Sequence, residues 1–361
     1  MKQFLHDLKS TPIFWMGIFI PIVLVLEFTH GASHTTMFVL SLLAIIPLAG
    51  FLSHATEGIA AKTGDTIGGL LNATLGNLTE LVIFIAALNQ GLIDLVKASI
   101  AGAVVTNSLF MLGVSFLIGG TKFRVQNFNR LNAFMESSLL FIVCIALMVP
   151  TIVTKVSSEE NVFPLSSISL GIAILLTVVY VLSLVFSLKT HADLFKSDAG
   201  THGEEEHVWS VTISVIVLIV SAVCIAIVSE IFVEGVQDAA TKMGLSQAFV
   251  GFIIIPIVGA AAEMMAAFSA AKKNKLDISV SIAMGSSAQI ALFVTPLMVI
   301  LSYFIAPEPM DLDFRGGLIF MILFGTLTVC LTSNQGKSTW YLGVLLIAVY
   351  AIFGVTLYFL R

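Results

Sequence analysis

Apolar runs of roughly 20 residues fill most of this chain, and short polar clusters separate them. We count eleven runs, and none alternates strictly between apolar and polar residues as the strands of a membrane barrel do. A helix needs about 20 apolar residues to cross the hydrocarbon core of a bilayer, and it satisfies its backbone hydrogen bonds internally. The pattern predicts helices over residues 12–29, 35–54, 68–90, 94–119, 131–153, 165–189, 209–230, 248–271, 277–304, 314–333 and 338–360.

Composition supports an all-α polytopic membrane protein. Of 361 residues, 58% are hydrophobic and 11% are charged, whereas soluble domains carry about 25% charged residues. The three cysteines lie singly in different runs, which gives no paired spacing for a disulfide or a metal site. The net charge of −5 is too small to indicate a charged partner. We therefore expect the lipid bilayer as surroundings and no nucleic-acid partner.

Basic residues are distributed unevenly between the two ends of the predicted helices. The N-terminus and the even-numbered connections hold twelve of the 17 Lys and Arg residues, and the odd-numbered side holds five. Excess positive charge marks the cytoplasmic side of a membrane protein. We predict a cytoplasmic N-terminus and, with eleven crossings, a C-terminus on the opposite side, in the cell membrane if the source is prokaryotic.

Two glutamates occupy matching places in the two halves of the chain. Glu80 and Glu263 lie deep inside apolar runs, 183 residues apart. The same offset pairs Gly76 with Gly259, Asp94 with Asp277 and Gly102 with Gly285, without a gap. The chain is therefore interpreted as an internal duplication.

The number of crossings between the two glutamates determines whether the two halves have the same or opposite orientation in the membrane. Five crossings separate equivalent segments, so the second half runs opposite to the first, as in many transporters. We predict an extra N-terminal helix in residues 1–30, a first repeat of helices 2 to 6 in 31–189, an acidic cytoplasmic linker in 190–208, and an inverted second repeat of helices 7 to 11 in 209–361.

A carboxylate inside a membrane helix is expensive, about 2.5 to 3.5 kcal/mol for Asp on insertion scales, and such residues usually mark an ion pathway. Gly76 and Gly259 each precede a glutamate by one helical turn and leave room for a cation. Ca²⁺ prefers six to eight oxygen ligands, and two carboxylates supply at most four. Candidates for the remaining oxygens are Asn77, Thr106, Asn107, Ser286, Ser287 and Gln289. Interhelical hydrogen bonding is the alternative role for each of them.

Three further acidic groups lie outside the centres of the runs. Glu57 and Glu234, each followed by Gly, fall near helix boundaries in the two halves. They are candidates for cation entrance or proton relay, against the alternative of solvated interfacial residues. The linker contains Glu204, Glu205 and Glu206 between two histidines. This cluster is a candidate regulatory loop that gathers cations, and the alternative is a solvated linker.

Residues 68–81, which contain Gly-Asn-Leu-Thr-Glu, resemble the first signature of the calcium/proton antiporters, the cation-exchanger family of the Ca²⁺/cation antiporter superfamily. Residues 273–296 resemble the second signature of that family. The resemblance implies exchange of cytosolic Ca²⁺ for protons, with Glu80 and Glu263 as shared ligands and with Asn77, Ser286 and Gln289 nearby. The chain departs from the family pattern at Ala103, Ala260 and Met264, where that pattern has Ser, Asn and His.

Competition at one site would couple the two ions. Burial and mutual repulsion favour the protonated forms of two adjacent carboxylates, and a divalent cation reverses that preference. The expected function is secondary antiport by alternating access, with no cofactor and no enzymatic activity. Three alternatives remain: Na⁺ or Mn²⁺ in place of Ca²⁺, a passive cation channel, or an intramembrane hydrolase, for which no His-Glu-x-x-His motif is present.

Overall fold

The computed structural model describes residues 12–63, 65–156, 164–191, 209–315 and 317–360. Helices and two short strands account for most of them. In chain order the helices are α1 (Ile13–Thr29), α2 (His34–Thr63), α3 (Asp65–Leu75 and Leu78–Asn89), α4 (Ile93–Phe123), α5 (Arg130–Val156), α6 (Leu165–Thr190), α7 (Val211–Met243), α8 (Gln247–Gly259 and Ala261–Lys272), α9 (Leu276–Ile305), α10 (Leu318–Ser333) and α11 (Trp340–Phe359). The strands are β1 (Val125–Asn127) and β2 (Lys337–Thr339).

Most of these helices are long and apolar enough to span a bilayer. Within the described residues eight pass that test singly, and the bent pair that forms α8 makes a ninth. The helices α1 and α10 are apolar but shorter. The chain is therefore a multi-pass, nearly all-helical membrane protein, while the count of eleven crossings stays a prediction.

Two helices extend well beyond the bounds that hydropathy predicts. The runs 35–54 and 209–230 become α2, which ends at Thr63, and α7, which ends at Met243. The added turns carry acidic residues such as Glu57 and Glu234 and therefore resemble loops in a hydropathy profile. They remain helical because α2 and α7 pack along each other, and a helix that projects past the apolar core still satisfies its own backbone.

The connections between helices collect at two opposite ends of the bundle. At one end β1, after α4, pairs antiparallel with β2, before α11. In the same place Gln126 Nε2 donates to the Ala271 carbonyl at 3.1 Å and to Asn274 Oδ1 at 2.9 Å, which ties in the α8–α9 turn. This is the end that basic residues mark as the predicted cytoplasmic side. A three-residue strand is too short to leave a hydropathy signal, so the ribbon was not predicted.

The α9–α10 connection covers the other end. Its backbone amides are held by hydroxyls from three helices: Met310 by Ser302 on α9, Leu312 by Ser169 on α6, and Phe314 by Thr151 on α5. The side chains of Met310, Leu312 and Phe314 are buried. The connection therefore forms a packed cover.

A buried ion pair fastens the same connection to α4. Lys97, near the start of α4, is 4% exposed, and its Nζ donates to Asp311 Oδ1 at 2.5 Å and to the Asp313 carbonyl at 3.1 Å. A lysine inside an apolar run needs a partner, and the α9–α10 connection supplies it.

We expect Asp311→Asn to lower the free energy of unfolding by about 3 kcal/mol, because removing one partner leaves the Lys97 ammonium buried and uncompensated. Lys97→Met is the matched control, since it removes the buried charge and leaves Asp311, which is 26% exposed, partly solvated. Thermal unfolding in detergent measures both. Equal losses in the two variants would contradict this account of the pair.

Candidate cation-binding site

Both central glutamates lie in the first turn of a helical segment that follows a break. In α3 the break falls at Gly76 and Asn77, and Glu80 follows in Leu78–Asn89. In α8 the break falls at Ala260, where the axis bends by 61°, and Glu263 follows in Ala261–Lys272. Asn77 and Ala260 correspond under the offset of 183. Broken helices expose backbone groups that can take part in ion binding, as in many transporters.

The break in α8 does not lie at its proline. A proline inside a helix kinks it or frees the carbonyl one turn back, here that of Phe252, but the bend comes four residues after Pro256. Pro256 directly follows the π-helical turn Val250–Ile254 within the segment Gln247–Gly259, and such turns are one way in which a helix takes up a local irregularity. The Phe252 carbonyl instead packs against α4, only 2.3 Å from where a Cβ on Gly102 would lie.

Gly259 makes room for the glutamate of the other half. A Cβ placed on Gly259 would lie 3.0 Å from Glu80 Cγ, 3.2 Å from its Cδ and 3.3 Å from its Oε1. The sequence predicts that each glycine leaves room beside the carboxylate four residues later. For Gly259 the neighbouring carboxylate is instead that of Glu80, from the other half. Glu80 therefore lies against the segment that leads to Glu263.

A chain of polar side chains joins the two halves beside the glutamates. Asn77 Nδ2 donates to Gln289 Oε1 at 2.6 Å, and Ser286 Oγ donates to Asn77 Oδ1 at 2.7 Å. Asn107 Nδ2 in turn donates to Ser286 Oγ at 3.0 Å. The structure thus brings together Asn77, Asn107, Ser286 and Gln289 of the predicted set.

Two other predicted oxygens are directed elsewhere. Thr106 Oγ1 donates to the Tyr350 hydroxyl on α11 at 3.0 Å. Ser287 Oγ is within 2.8 Å of the Ala283 carbonyl and 3.1 Å of the Val104 carbonyl on α4. Both hydroxyls therefore hold helices together, which is the alternative role that polar groups in membrane helices have.

Three buried acceptor oxygens near this chain lack a donor. Among the described residues, Glu80 Oε1, Glu263 Oε2 and Asn107 Oδ1 are buried without a hydrogen-bond partner. A buried polar atom without a partner calls for an explanation. A bound cation or a proton would satisfy these oxygens. In that part of the chain no three His, Cys, Asp or Glu side chains group into a metal site, so amide and hydroxyl oxygens would have to complete a shell.

Glu263 faces a cavity of about 440 Å³ that α2, α3, α8 and α9 enclose. Gly76, Ser286 and Gln289 line it as well. A second cavity of about 700 Å³ adjoins it, shares Glu57 with it, and reaches Lys273 and Lys275. Glu263 can therefore be approached from the predicted cytoplasmic side.

The peripheral acidic candidates have different positions. Glu57 is exposed, accepts from Ser53 Oγ at 3.3 Å, and lies 3.8 Å from His54 Nδ1 at the junction of the two cavities. Glu234 is exposed on α7 and is not among the residues that line either cavity in the described chain. Glu204, Glu205 and Glu206 lie outside the described residues.

Comparison with known proteins agrees with this architecture. The profile of the family described as "Sodium/calcium exchanger protein" matches residues 33–189 and 213–359. The chain belongs to this family. A Ca²⁺/H⁺ antiporter of Aphanothece halophytica is 38% identical over 367 residues, 97% of each chain. The Ca²⁺/H⁺ antiporter ChaA of Bacillus subtilis (strain 168) is 37% identical over 344 residues, 94% of this chain and 97% of the relative.

Solved structures of exchangers share the fold. The structure of native YfkE superimposes with a TM-score of 0.83 at 34% identity, over 97% of this chain and all (100%) of that chain. The H⁺/Ca²⁺ exchanger CAX gives a TM-score of 0.72 at 15% identity, over 96% of this chain and 91% of that chain. At that low identity the second match bears on the fold alone.

The departures from the exchanger pattern fall at related places. Under the offset of 183, Asn77 corresponds to Ala260 and Ser286 corresponds to Ala103. The hydrogen bond between Asn77 and Ser286 therefore has two alanines, both buried, at the duplicated positions. In this member of the exchanger family the candidate site is therefore not symmetric between the two halves at these positions.

Proposed function

We propose that this protein exchanges cytosolic Ca²⁺ for protons by alternating access, and that Glu80 and Glu263 bind the two ions competitively. The observation that carries the proposal is that the buried Glu80 of one half packs against Gly259 of the other, four residues before Glu263, and that Glu263 lines the cavity. Their unpartnered oxygens lie beside amides and a hydroxyl that belong to both halves. Relatives that are named Ca²⁺/H⁺ antiporters support the choice of ions.

Competition between a metal and protons follows from the composition of this site. Ca²⁺ needs negatively charged oxygens, so its binding expels protons, and protonation removes the charge that the metal requires. An empty site would leave two buried charges uncompensated, which makes reorientation of that state costly. Only the metal-loaded and proton-loaded forms would then change sides, and the result is antiport rather than leak.

The structure supports assignment to a state open to the predicted cytoplasmic side. The cavities lead from Lys273 and Lys275 to Glu263, and the α9–α10 connection covers the opposite end. Matches of one family profile to residues 33–189 and 213–359 support two repeats. Exchange of roles between inverted repeats would open the site to the other side, with eleven crossings and a cytoplasmic N-terminus.

Ca²⁺ uptake into vesicles that contain the purified protein and an imposed proton gradient tests the proposal. We expect uptake to fall to the level of protein-free vesicles when a protonophore dissipates the gradient, because antiport takes its driving force from proton return. Uptake that continues along the Ca²⁺ gradient alone would identify a passive channel. Addition of Na⁺ or Mn²⁺ as competitor in the same assay decides between Ca²⁺ and these two ions as the preferred cargo.

A further inference from the structure

A third buried carboxylate lies beside the cavity and has no part in the site described above. Glu136 is on α5, six residues after its first residue, Arg130. At a rise of about 1.5 Å per residue this places it roughly 9 Å from the start of the helix, which lies at the predicted cytoplasmic end. Glu136 is half-buried as a residue, but its Oε2 atom is inaccessible and has no hydrogen-bond partner among the described residues.

Glu136 is separated from the cavity by a single glycine. Gly285 on α9 lines the cavity that contains Glu263, and a Cβ placed on Gly285 would lie 3.9 Å from Glu136 Oε1. In the described chain no other neighbour comes within 4 Å of that position. Its counterpart Gly102 is used differently, since a Cβ there would collide with the Phe252 backbone. The space beside Gly285 therefore leads to the Glu136 carboxylate, whereas Gly102 allows two helices to pack closely.

A second unpartnered oxygen lies one turn before Glu136. Asn132 Nδ2 donates to Ser281 Oγ at 3.0 Å, and Ser281 also lines the cavity. Asn132 Oδ1 is buried without a donor in the part of the chain that the structure describes. Residues four apart on a helix share a face. One hydrogen on Glu136, donated to Asn132 Oδ1, would satisfy both oxygens.

Among the described residues of the helices packed against α5, no Lys, Arg or His side chain pairs with Glu136. The helices that pack against α5 are α6, α9 and α10, and the segments of α9 and α10 contain no Lys, Arg or His. The titratable side chains on these three helices are Asp277, Tyr303, Cys330, Tyr180 and Lys189. Asp277 accepts from the Asn129 amide, Tyr303 and Tyr180 donate to backbone carbonyls, Cys330 contacts the Ser137 carbonyl, and Lys189 is exposed.

The same surroundings are unsuited to a divalent cation. Asp277 is the only acid on α9 and α10, and its carboxylate is engaged at the start of α9. One carboxylate, one amide oxygen and one hydroxyl are far from the six to eight oxygens that Ca²⁺ prefers. A proton needs only one carboxylate oxygen and one acceptor.

We propose that Glu136 is a third proton-binding carboxylate, which passes protons between Glu263 and the predicted cytoplasmic side without binding the transported cation. In one turnover the Glu136 carboxyl releases its proton to water at that side. The resulting carboxylate takes up, through cavity water, the proton that the metal displaces from Glu263. Glu136 ends protonated as it began, and one proton has left the site. Only the first half contains this carboxylate, because the offset of 183 places Ile319 at the equivalent position of the second half.

Infrared difference spectroscopy on the purified full chain tests the protonation state directly. We expect the carbonyl stretch of a protonated carboxyl group to be present in the wild type and in Glu230→Gln, a variant of an exposed glutamate on α7, and to lose one component in Glu136→Gln. An unchanged spectrum in Glu136→Gln would mean that Glu136 is ionised and would overturn the proposal.

Transport kinetics test the relay, which rests on the proposed Ca²⁺/H⁺ exchange. We expect Glu136→Gln and Glu136→Ile to lower the maximal exchange rate about tenfold with an unchanged KM for Ca²⁺, and Glu136→Asp to restore most of the rate. A tenfold rise in KM would make Glu136 a cation ligand, and an unchanged rate in Glu136→Gln would make it structural; either result overturns the relay. Failure of the wild type to exchange Ca²⁺ for protons would refute the proposed function instead, and the infrared measurement would still decide the state of Glu136.

Discussion

Replacing either central glutamate by glutamine is expected to abolish exchange, with a loss of at least 100-fold in the rate of proton-driven Ca²⁺ uptake. Glutamine keeps the size of the side chain, so packing against Gly259 is preserved for Glu80→Gln. It can neither release a proton nor balance part of a divalent charge. One remaining carboxylate supplies at most two of the oxygens that Ca²⁺ needs. Uptake of radioactive Ca²⁺ into vesicles under an imposed proton gradient measures the loss.

Each amide variant needs evidence that it still folds. We expect Glu80→Gln and Glu263→Gln to elute and to unfold in detergent like the wild type, because removing an unpaired buried charge does not destabilise the helix bundle. Glu230→Gln, on the exposed face of α7, is the matched control and should retain the wild-type rate. If a well-folded Glu80→Gln or Glu263→Gln kept half of that rate, the two-carboxylate site would be wrong.

The helices and the two central glutamates could be predicted because the bilayer imposes strong physical constraints on a sequence. Helices of about 20 apolar residues are required by membrane thickness, and a carboxylate within such a run is conspicuous because it is costly. The same reasoning indicates Asn77, Asn107, Ser286 and Gln289, which the structure joins by hydrogen bonds, while their role as cation ligands stays a prediction. Confirmation of the exchanger family came from sequence and structure together.

Features that depend on contacts between the halves could not be predicted from spacing. The bend at Ala260 and the packing of Gly259 against Glu80 arise from how α8 meets α3 and α4. A proline such as Pro256 is visible in a sequence as a possible break, whereas a packing contact between helices is not. Thr106 and Ser287 looked like ligands, but their hydroxyls are used by Tyr350 and by backbone carbonyls.

Glu136 shows a different limit of prediction from the sequence. It lies inside the apolar run 131–153 and carries the same signal that identified Glu80, yet it has no acidic counterpart in the second half. Internal symmetry therefore does not identify it. The site itself is also unequal between the halves, since Asn77 and Ser286 are matched by Ala260 and Ala103. Duplicated positions in the sequence identify the two central glutamates, and positions without a like counterpart mark where the two halves of the protein differ.

A methyl group at Gly259 should weaken Ca²⁺ binding without unfolding the protein. In Gly259→Ala the new Cβ would lie 3.0 Å from Glu80 Cγ and 3.3 Å from its Oε1, which is closer than ordinary van der Waals contact. The glutamate side chain has to move, because it is the more flexible partner, and its carboxylate is then displaced from its present position beside Gly259. We expect the apparent affinity for Ca²⁺ to fall about tenfold, which corresponds to about 1.4 kcal/mol. The Ca²⁺ dependence of uptake measures the change.

Gly171→Ala is the matched control for this substitution. Within the described chain no atom lies within 4 Å of the Cβ that the variant would add to α6, so neither affinity nor rate should change. Because Ala favours helix over Gly by about 1 kcal/mol, any general effect of the replacement on helix stability should be present in both variants. A Gly259→Ala protein with wild-type affinity would mean that Glu80 does not need its present position, and the idea that the two halves share one cation between their carboxylates would lose its geometric support.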